Sequence, residues 1–335
     1  MENRQAFDLV HKFSGQRVLV VGDMFLDRYL QGRATRLSRE APVPVLEQTD
    51  SFAVAGGACN PARNIAALGG QAVMLGVVGE DPAGRELIQL MADAGIATSA
   101  VVVDPTRPTT TKTRLVAEST LRVPQHLARI DNLDRRPLDR HVEQQLLDRL
   151  EQMAAGCDAI LVSHYATGVV TAAVADRVRQ LARQHGAATT VDAQADLGRF
   201  AGFDLIKCNR AEAEGELDLA LSSDADFERA LVRLMPRLGV DSLAITRGAD
   251  GISALQRGLS VIHSPALRTS DVYDVVGAGD TVIAVLTLAL AARLPLATGV
   301  YLANAAAGLV VRKLGNVVVS GPELVAVVSG DGDGR

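Results

Sequence analysis

The sequence predicts an α/β fold: a mostly parallel sheet covered by helices on both faces, with a small β element outside it. Three observations carry this. Strand-like apolar runs alternate with helical patterns along most of the chain. The 335 residues are 48% apolar and 22% charged, the balance of a globular protein with an ample core. Two segments, 25–48 and 107–132, break the alternation with short β-prone pieces rich in Thr, Arg and Pro.

The elements follow in order. RVLVV at Arg17–Val21 reads as a buried strand, Cys59–Leu68 as a helix and Ala72–Val78 as a strand. Gly84–Ala94 and Arg140–Ala155 are helical, the second clearly amphipathic. Strand Ala159–Ser163, helix Ala172–Gln184 and strands Ala188–Asp192 and Asp204–Cys208 continue the series. Helix Ala225–Leu238, strand Ser242–Thr246 and helices Ala278–Ala292 and Thr298–Leu314 complete it. No linker or repeat divides the chain, so residues 1–330 form one domain with a frayed tail at 330–335.

Bulk properties exclude several classes. The net charge of -5, with no basic block, argues against nucleic acid as a partner. The N-terminus lacks a signal-peptide core, and the longest apolar run, Val282–Ala292, is too short to span a bilayer. Cys59, Cys157 and Cys208 show neither a zinc spacing nor a disulfide framework, which reads as a reducing cytoplasm.

Five stretches can carry chemistry. In Asp274-Val-Val-Gly-Ala-Gly-Asp280 a carboxylate follows a glycine pair at the mouth of an apolar helix. A helix start is electropositive, so Asp280 is either a cap or a base beside an anion site. Gly56–Gly70 opens on Gly56-Gly57 and holds Asn60 and Asn64 ahead of a small-residue helix, which permits close approach to a polar ligand. Asn209 and Glu212, three apart at a helix start, make a capping box or face one ligand. Thr246-Arg247-Gly248, with Gly251, is a turn after a strand and could be a plain hairpin. Asp23 and Asp27 lie just past the first strand's carboxyl end, the edge where open α/β sheets bind ligands. His164 in VSHYATG reads as a polar loop residue.

Taken together and in this order, these motifs resemble the ribokinase family of sugar kinases, also called the phosphofructokinase-B family, over nearly the whole chain. GDMFLDRYLQG and RLSREAPVPV, with PARNIAALGG, KTRLVA and QHLARID, resemble the members that phosphorylate D-glycero-β-D-manno-heptose 7-phosphate. The resemblance implies a ribokinase-like three-layer α/β/α sandwich with a small β lid made of segments 25–48 and 107–132. It implies transfer from ATP to the sugar's anomeric hydroxyl, in the route to ADP-heptose and lipopolysaccharide. Asp280 would be the base, and the N–H groups of Gly277, Ala278 and Gly279 would stabilise the transferring phosphoryl. Asp23, Asp27, Gly56, Gly57, Asn60 and Asp274 would lie on the sugar side. Thr246, Arg247, Gly248, Gly251 and Asn304 would line the nucleotide side, with Asn304 near the adenine. Asn209 and Glu212 would also organise Mg²⁺ through water, and a monovalent cation is a further implied cofactor. The second phosphate needs cations, for which Arg33, Arg36, Lys112, Arg114 and Arg129 are the lid candidates. A homodimer paired through the lid is expected.

This chain departs from the heptose kinases at His164 and Thr167, where Asp and Lys are usual, and at Ala193-Gln194, where Pro-Lys is usual. The chain also stops soon after the kinase signatures, which reads as a kinase without a nucleotidyltransferase domain. Two alternatives stay open at this level: another sugar or sugar-phosphate kinase of the family, and a non-catalytic sugar-binding relative.

Overall fold

Alternating residues of the first buried strand divide between two cores. Val18 and Val20 pack into one, Leu19 and Val21 into the other, as the twofold repeat of a strand requires when both faces are covered. The computed structural model describes residues 3–118, 125–266, 275–313 and 315–330. Its first half contains α1 (Asn3–His11), β1 (Arg17–Gly22), β2 (Met24–Leu37), β3 (Pro44–Gly57), α2 (Cys59–Ala67), β4 (Gln71–Leu75), β5 (Val77–Gly79), α3 (Pro82–Asp93), β6 (Val102–Asp104), β7 (Thr111–Glu118), β8 (Gln125–Asn132) and α4 (Arg140–Ala154). The second half contains β9 (Ala159–His164), α5 (Ala172–His185), β10 (Ala188–Ala193), β11 (Leu205–Asn209), α6 (Arg210–Leu217), α7 (Asp224–Leu238), β12 (Ser242–Thr246), β13 (Ile252–Gln256), β14 (Ile262–Ser264), α8 (Ala278–Ala291), α9 (Leu296–Val310) and α10 (Gly321–Ser329).

The main sheet runs β14-β13-β12-β11-β10-β9-β1-β4. It is parallel from β4 to β12, and β13 and β14 add an antiparallel edge. Helices α4, α5, α6 and α7 cover one face; α1, α2, α3, α8, α9 and α10 cover the other. The α8 sequence AGDTVIAVLTLALA is apolar almost all round because it lies between α2, α9 and the sheet. The body of the helix is therefore held firmly behind its N-terminus.

The fold corrects several expectations. Ala72–Val78 is two strands, not one. At Gly76 the chain passes so close to β1 that a Cβ would sit 2.7 Å from the Gly22 carbonyl oxygen. The chain then leaves the main sheet, and β5 pairs with β6. Elements α1, α10, β6 and β14 were not expected, being short or at a sheet's edge, and β13 was expected only if the Thr246–Gly251 turn formed a hairpin. The tail beyond Gly330, and residue 314 at the end of the expected last helix, lie outside the described residues.

Segments 24–57, 111–118 and 125–132 build a second, four-stranded sheet in the order β3-β2-β7-β8. Its strands extend past the expected limits, since β3 runs on to Gly57. Strand β2 pairs antiparallel with β3 and parallel with β7, so Asp27 faces Lys112 and Tyr29 faces Arg114 in register.

Candidate active site

The carboxyl ends of β1, β9, β10, β11 and β12 gather one set of polar side chains, because every parallel strand ends on the same edge. Asp280 meets them from the first turn of α8, at 8% exposure. It does not cap that helix, which has no side-chain cap. Its Oδ2 accepts from Asn60 Nδ2 at 2.9 Å, and its Oδ1 accepts from the Tyr165 hydroxyl at 2.8 Å. Asn60 also donates to Asn316 Oδ1 at 2.7 Å. Burial pushes the Asp280 carboxyl up to about 6, with the Asp192 carboxylate adding to it. Asn60, Tyr165 and Lys207 oppose the rise.

The glycines of this turn have separate reasons. Gly277 sits at φ 81, in the left-handed region, and a Cβ there would stand 2.6 Å from Asn316 Oδ1 and 2.8 Å from Asn60 Nδ2. A Cβ on Gly279 would stand 2.9 Å from Lys207 Nζ. The first-turn N–H groups of α8 have no preceding helical carbonyl to bind, although the Ala278 N–H turns back to the Val275 carbonyl at 3.4 Å, and with the helix dipole they present positive potential here.

Lys207 brings a full positive charge to the same turn. Its buried ammonium donates to both oxygens of Asp192, at 2.9 and 2.8 Å. Burial alone would push this amine down, but the Asp192 carboxylate outweighs it and holds Lys207 above its ordinary value. Lys207 therefore stays charged, and its ion pair stays intact. Glu212 forms a reciprocal capping box with Asn209 at the start of α6. Burial pushes the Glu212 carboxyl up to about 7 against the pull of the Asn209 N–H and Lys207.

A cavity of about 1130 Å³ runs from Tyr165, Asp192 and Asp280 past Lys207, Asn209 and Glu212 to Thr246, Gly248 and Asn304. It contains every nucleotide-side residue that the sequence indicated. Gly251, at φ 91, is pressed against Ser264, where a Cβ would lie 2.1 Å from the carbonyl oxygen. Asn304 donates to the oxygens of Ser264 and Pro265. The Arg247 guanidinium turns to Asp224 at 2.7 Å and lies over the Phe227 ring, so its charge is already engaged. The hairpin reading of its turn is also met, by β12 and β13.

On the other side of Asp280, Asp23 is buried, and its oxygens accept from the Tyr165 N–H and the Thr167 hydroxyl, each at 2.6 Å. Asp27 pairs with Arg114 at 2.7 Å. Gly56 leaves room for this pair, since a Cβ there would stand 2.0 Å from Asp27 Oδ2. Gly57, at φ +57, passes under the Asp23 carbonyl. Lys112 lies 4.0 Å from the Phe25 ring centroid. Arg129 is turned to Asp131 on its own strand, and Arg33 and Arg36 are exposed. Asp274 lies outside the described residues.

A family model described as pfkB family carbohydrate kinase matches residues 16–320. The chain belongs to the pfkB family of carbohydrate kinases. A protein named "Bifunctional protein HldE" from Caulobacter vibrioides is 42% identical over 326 residues, 96% of this chain and 65% of that protein. Its namesake from Trichlorobacter lovleyi is 38% identical over 98% of this chain and 66% of its own length. The chain thus spans just under two thirds of these relatives. Phosphofructokinase-2 from Escherichia coli, solved with substrates and products, superposes with a TM-score of 0.78 at 19% identity, over 94% of this chain and 99% of that one. Arabidopsis thaliana ribokinase, solved with ribose and ATP, gives 0.73 at 17% identity, over the same 94% and 99%. These two likenesses establish the ribokinase-like fold.

In this pfkB-family kinase, Tyr165, Asp192, Lys207 and Asn316 join the site, and the sequence motifs do not single them out. Tyr165 sits beside His164, which drew attention instead. His164 corrects the loop reading: it ends β9, is buried, and packs edge-on against Phe200. Asp192 lies one residue before the end of β10 and Lys207 two before the end of β11, near the ligand-binding edge, and that position is the signal that could have found them.

No group of three or more His, Cys, Asp or Glu side chains able to hold a metal occurs among the described residues. Asn209 and Glu212 put side-chain oxygens on the cavity wall, joined to each other in the capping box, and oxygen donors suit an ion reached through water. No helix among the described residues is long and apolar enough to cross a membrane.

Proposed function

We propose that this chain transfers the γ-phosphoryl group of ATP to the anomeric hydroxyl of D-glycero-β-D-manno-heptose 7-phosphate. The product would be the 1,7-bisphosphate, a precursor of ADP-heptose for lipopolysaccharide. The observation that carries the reaction is the Asp280 carboxylate, buried beside an open helix start and a charged lysine. The substrate rests on the heptose-kinase-like N-terminal third and on the named relatives at 38% and 42% identity.

Asp280 takes the proton of the anomeric hydroxyl as that oxygen bonds to the γ-phosphorus. The bond to the β-phosphate oxygen breaks, and ADP leaves. The first-turn N–H groups at Gly277, Ala278 and Gly279, together with Lys207, meet the charge on the transferring phosphoryl. Asn60 and Tyr165 hold the carboxylate in place. Thr246, Gly248, Gly251 and Asn304 shape the nucleotide side, with Arg247 bracing their turn. Asp27, Gly56, Gly57 and Asn60 face the sugar, and Asp23 ties down the Tyr165 loop. Asn209 and Glu212 would hold Mg²⁺ through water, and the ion would neutralise charge on the ATP phosphates. The four-stranded outer sheet acts as a lid that keeps water from the transfer. Its exposed Leu37, Leu127 and Ile130 fit a face covered by a second copy, as a dimer paired through the lid would bury them.

A panel of heptose 7-phosphate, fructose 6-phosphate and ribose, each with ATP and Mg²⁺, tests the reading. Heptose 7-phosphate should have the highest kcat/KM, by about 100-fold or more. A higher value for either other sugar would overturn the substrate assignment.

A further inference from the structure

A second cavity, of about 500 Å³, lies between the outer sheet and the body of the domain. Tyr29, Gln31 and Val116 line its sheet side; Arg63, Lys313 and Asn316 line its body side. Residues 27, 29 and 31 of β2 share one face by strand periodicity, as do 112, 114 and 116 of β7. The cavity thus continues outward along the face that carries Asp27 and Lys112. It is about 7 Å further along the strand per pair of residues. Asn316 joins it to the reacting centre, because Asn60 donates both to Asn316 and to Asp280.

Arg63 is the unbalanced group there. Its Nη1 donates to two backbone carbonyls, Asn316 O at 3.1 Å and Ala55 O at 3.4 Å. Among the described residues it has no ion pair, whereas Lys313 is paired with Glu323 and Arg114 with Asp27. A half-buried guanidinium without a carboxylate partner is costly and is normally balanced by an anion. Burial pushes Arg63 down from its ordinary value, which marks the same lack of a counter-charge. The stacked rings of Tyr29 and Phe52 with Val54 supply an apolar wall suited to a carbon chain beside that charge.

We infer that the phosphate-bearing end of the sugar substrate docks in this cavity against Arg63, with the anomeric end at Asp280. This rests on the sugar-phosphate reading above and gives that phosphate its counter-charge. Of the cations first expected to hold it, Arg114 and Arg129 are engaged and Arg33 and Arg36 are exposed on the outer sheet. Lys112 is half-buried over the Phe25 ring, level with Asp27 and so nearer the anomeric end than this cavity.

The test is steady-state kinetics of wild type, Arg63→Leu and Arg63→Lys with heptose 7-phosphate and with the unphosphorylated heptose. Arg63→Leu should raise KM for heptose 7-phosphate by about 10-fold or more, because a charge-assisted phosphate contact is lost. KM for ATP and for the unphosphorylated heptose should stay within about twofold, which also reports an intact fold. Arg63→Lys should recover part of the loss. Inorganic phosphate should compete with heptose 7-phosphate in wild type and not in Arg63→Leu. An unchanged KM for heptose 7-phosphate in Arg63→Leu overturns the inference alone. An equal rise for both sugars assigns Arg63 to general architecture and overturns it too. Wild type that phosphorylates only unphosphorylated sugars overturns the parent reading and the inference with it.

Discussion

Replacing Asp280 by Asn separates chemistry from stability at a single position. In the folded protein the carboxyl lies at about 6, against an ordinary 3.8. The folded value is the higher one, so the native state binds this proton more tightly than the unfolded chain does. The stability it confers is complete below about pH 4 and is lost as pH rises through about 6. At pH 8 the ionised carboxylate therefore costs the fold on the order of 2–3 kcal/mol. Asparagine has the same shape and no charge. Its carbonyl can accept from Asn60, and its amide can donate to the Tyr165 hydroxyl, so both contacts survive. The variant should thus be more stable than wild type at pH 8, with the gain shrinking toward zero near pH 4. Loss of a positioned base should lower kcat by about 10²–10⁴. Urea unfolding at both pH values and ADP release under saturating substrates measure the two effects. Turnover within about tenfold of wild type would refute the base assignment. A variant less stable than wild type at pH 8 would refute the electrostatic account.

Tyr165→Phe removes one of the two donors to Asp280 and should raise the carboxyl's pKa further. The acidic limb of kcat/KM should move from about 6 to higher pH, and an unmoved limb would show that the hydroxyl does not tune the base. Lys207→Met leaves Asp192 buried without its partner and should cost about 3–5 kcal/mol of stability. It should also lower kcat more than it changes the KM for sugar. Urea unfolding with kinetics at saturating ATP measures both, and unchanged stability would mean that Asp192 finds another partner.

The sheet's parallel part was legible because RVLVV, AILVS and SLAIT are short apolar runs bounded by turns. The edge was not: β14 is three residues long, and its pairing to β13 depends on tertiary contact more than on pattern. The break at Gly76 is invisible along the chain, because it arises from the approach of Gly22. At the site, the glycine turn and Asp280 stood out as a local motif, and so did Asn209 with Glu212. What surrounds Asp280 did not. Tyr165 and Asn60 reach it across 115 and 220 residues, and Asn316 meets Asn60 across 256. Only the folded sheet edge brings these side chains together. The capping-box reading of Asn209 and Glu212 also holds in the structure, and it shares the residues with the ligand-facing one.

The most direct measurement is phosphorus NMR of the product formed from heptose 7-phosphate, ATP and Mg²⁺ by the purified chain. A second phosphate is expected on the anomeric carbon, with coupling to the anomeric proton, and one ADP released for each product. Phosphate on any other carbon, or ADP released without a new sugar phosphate, would contradict it.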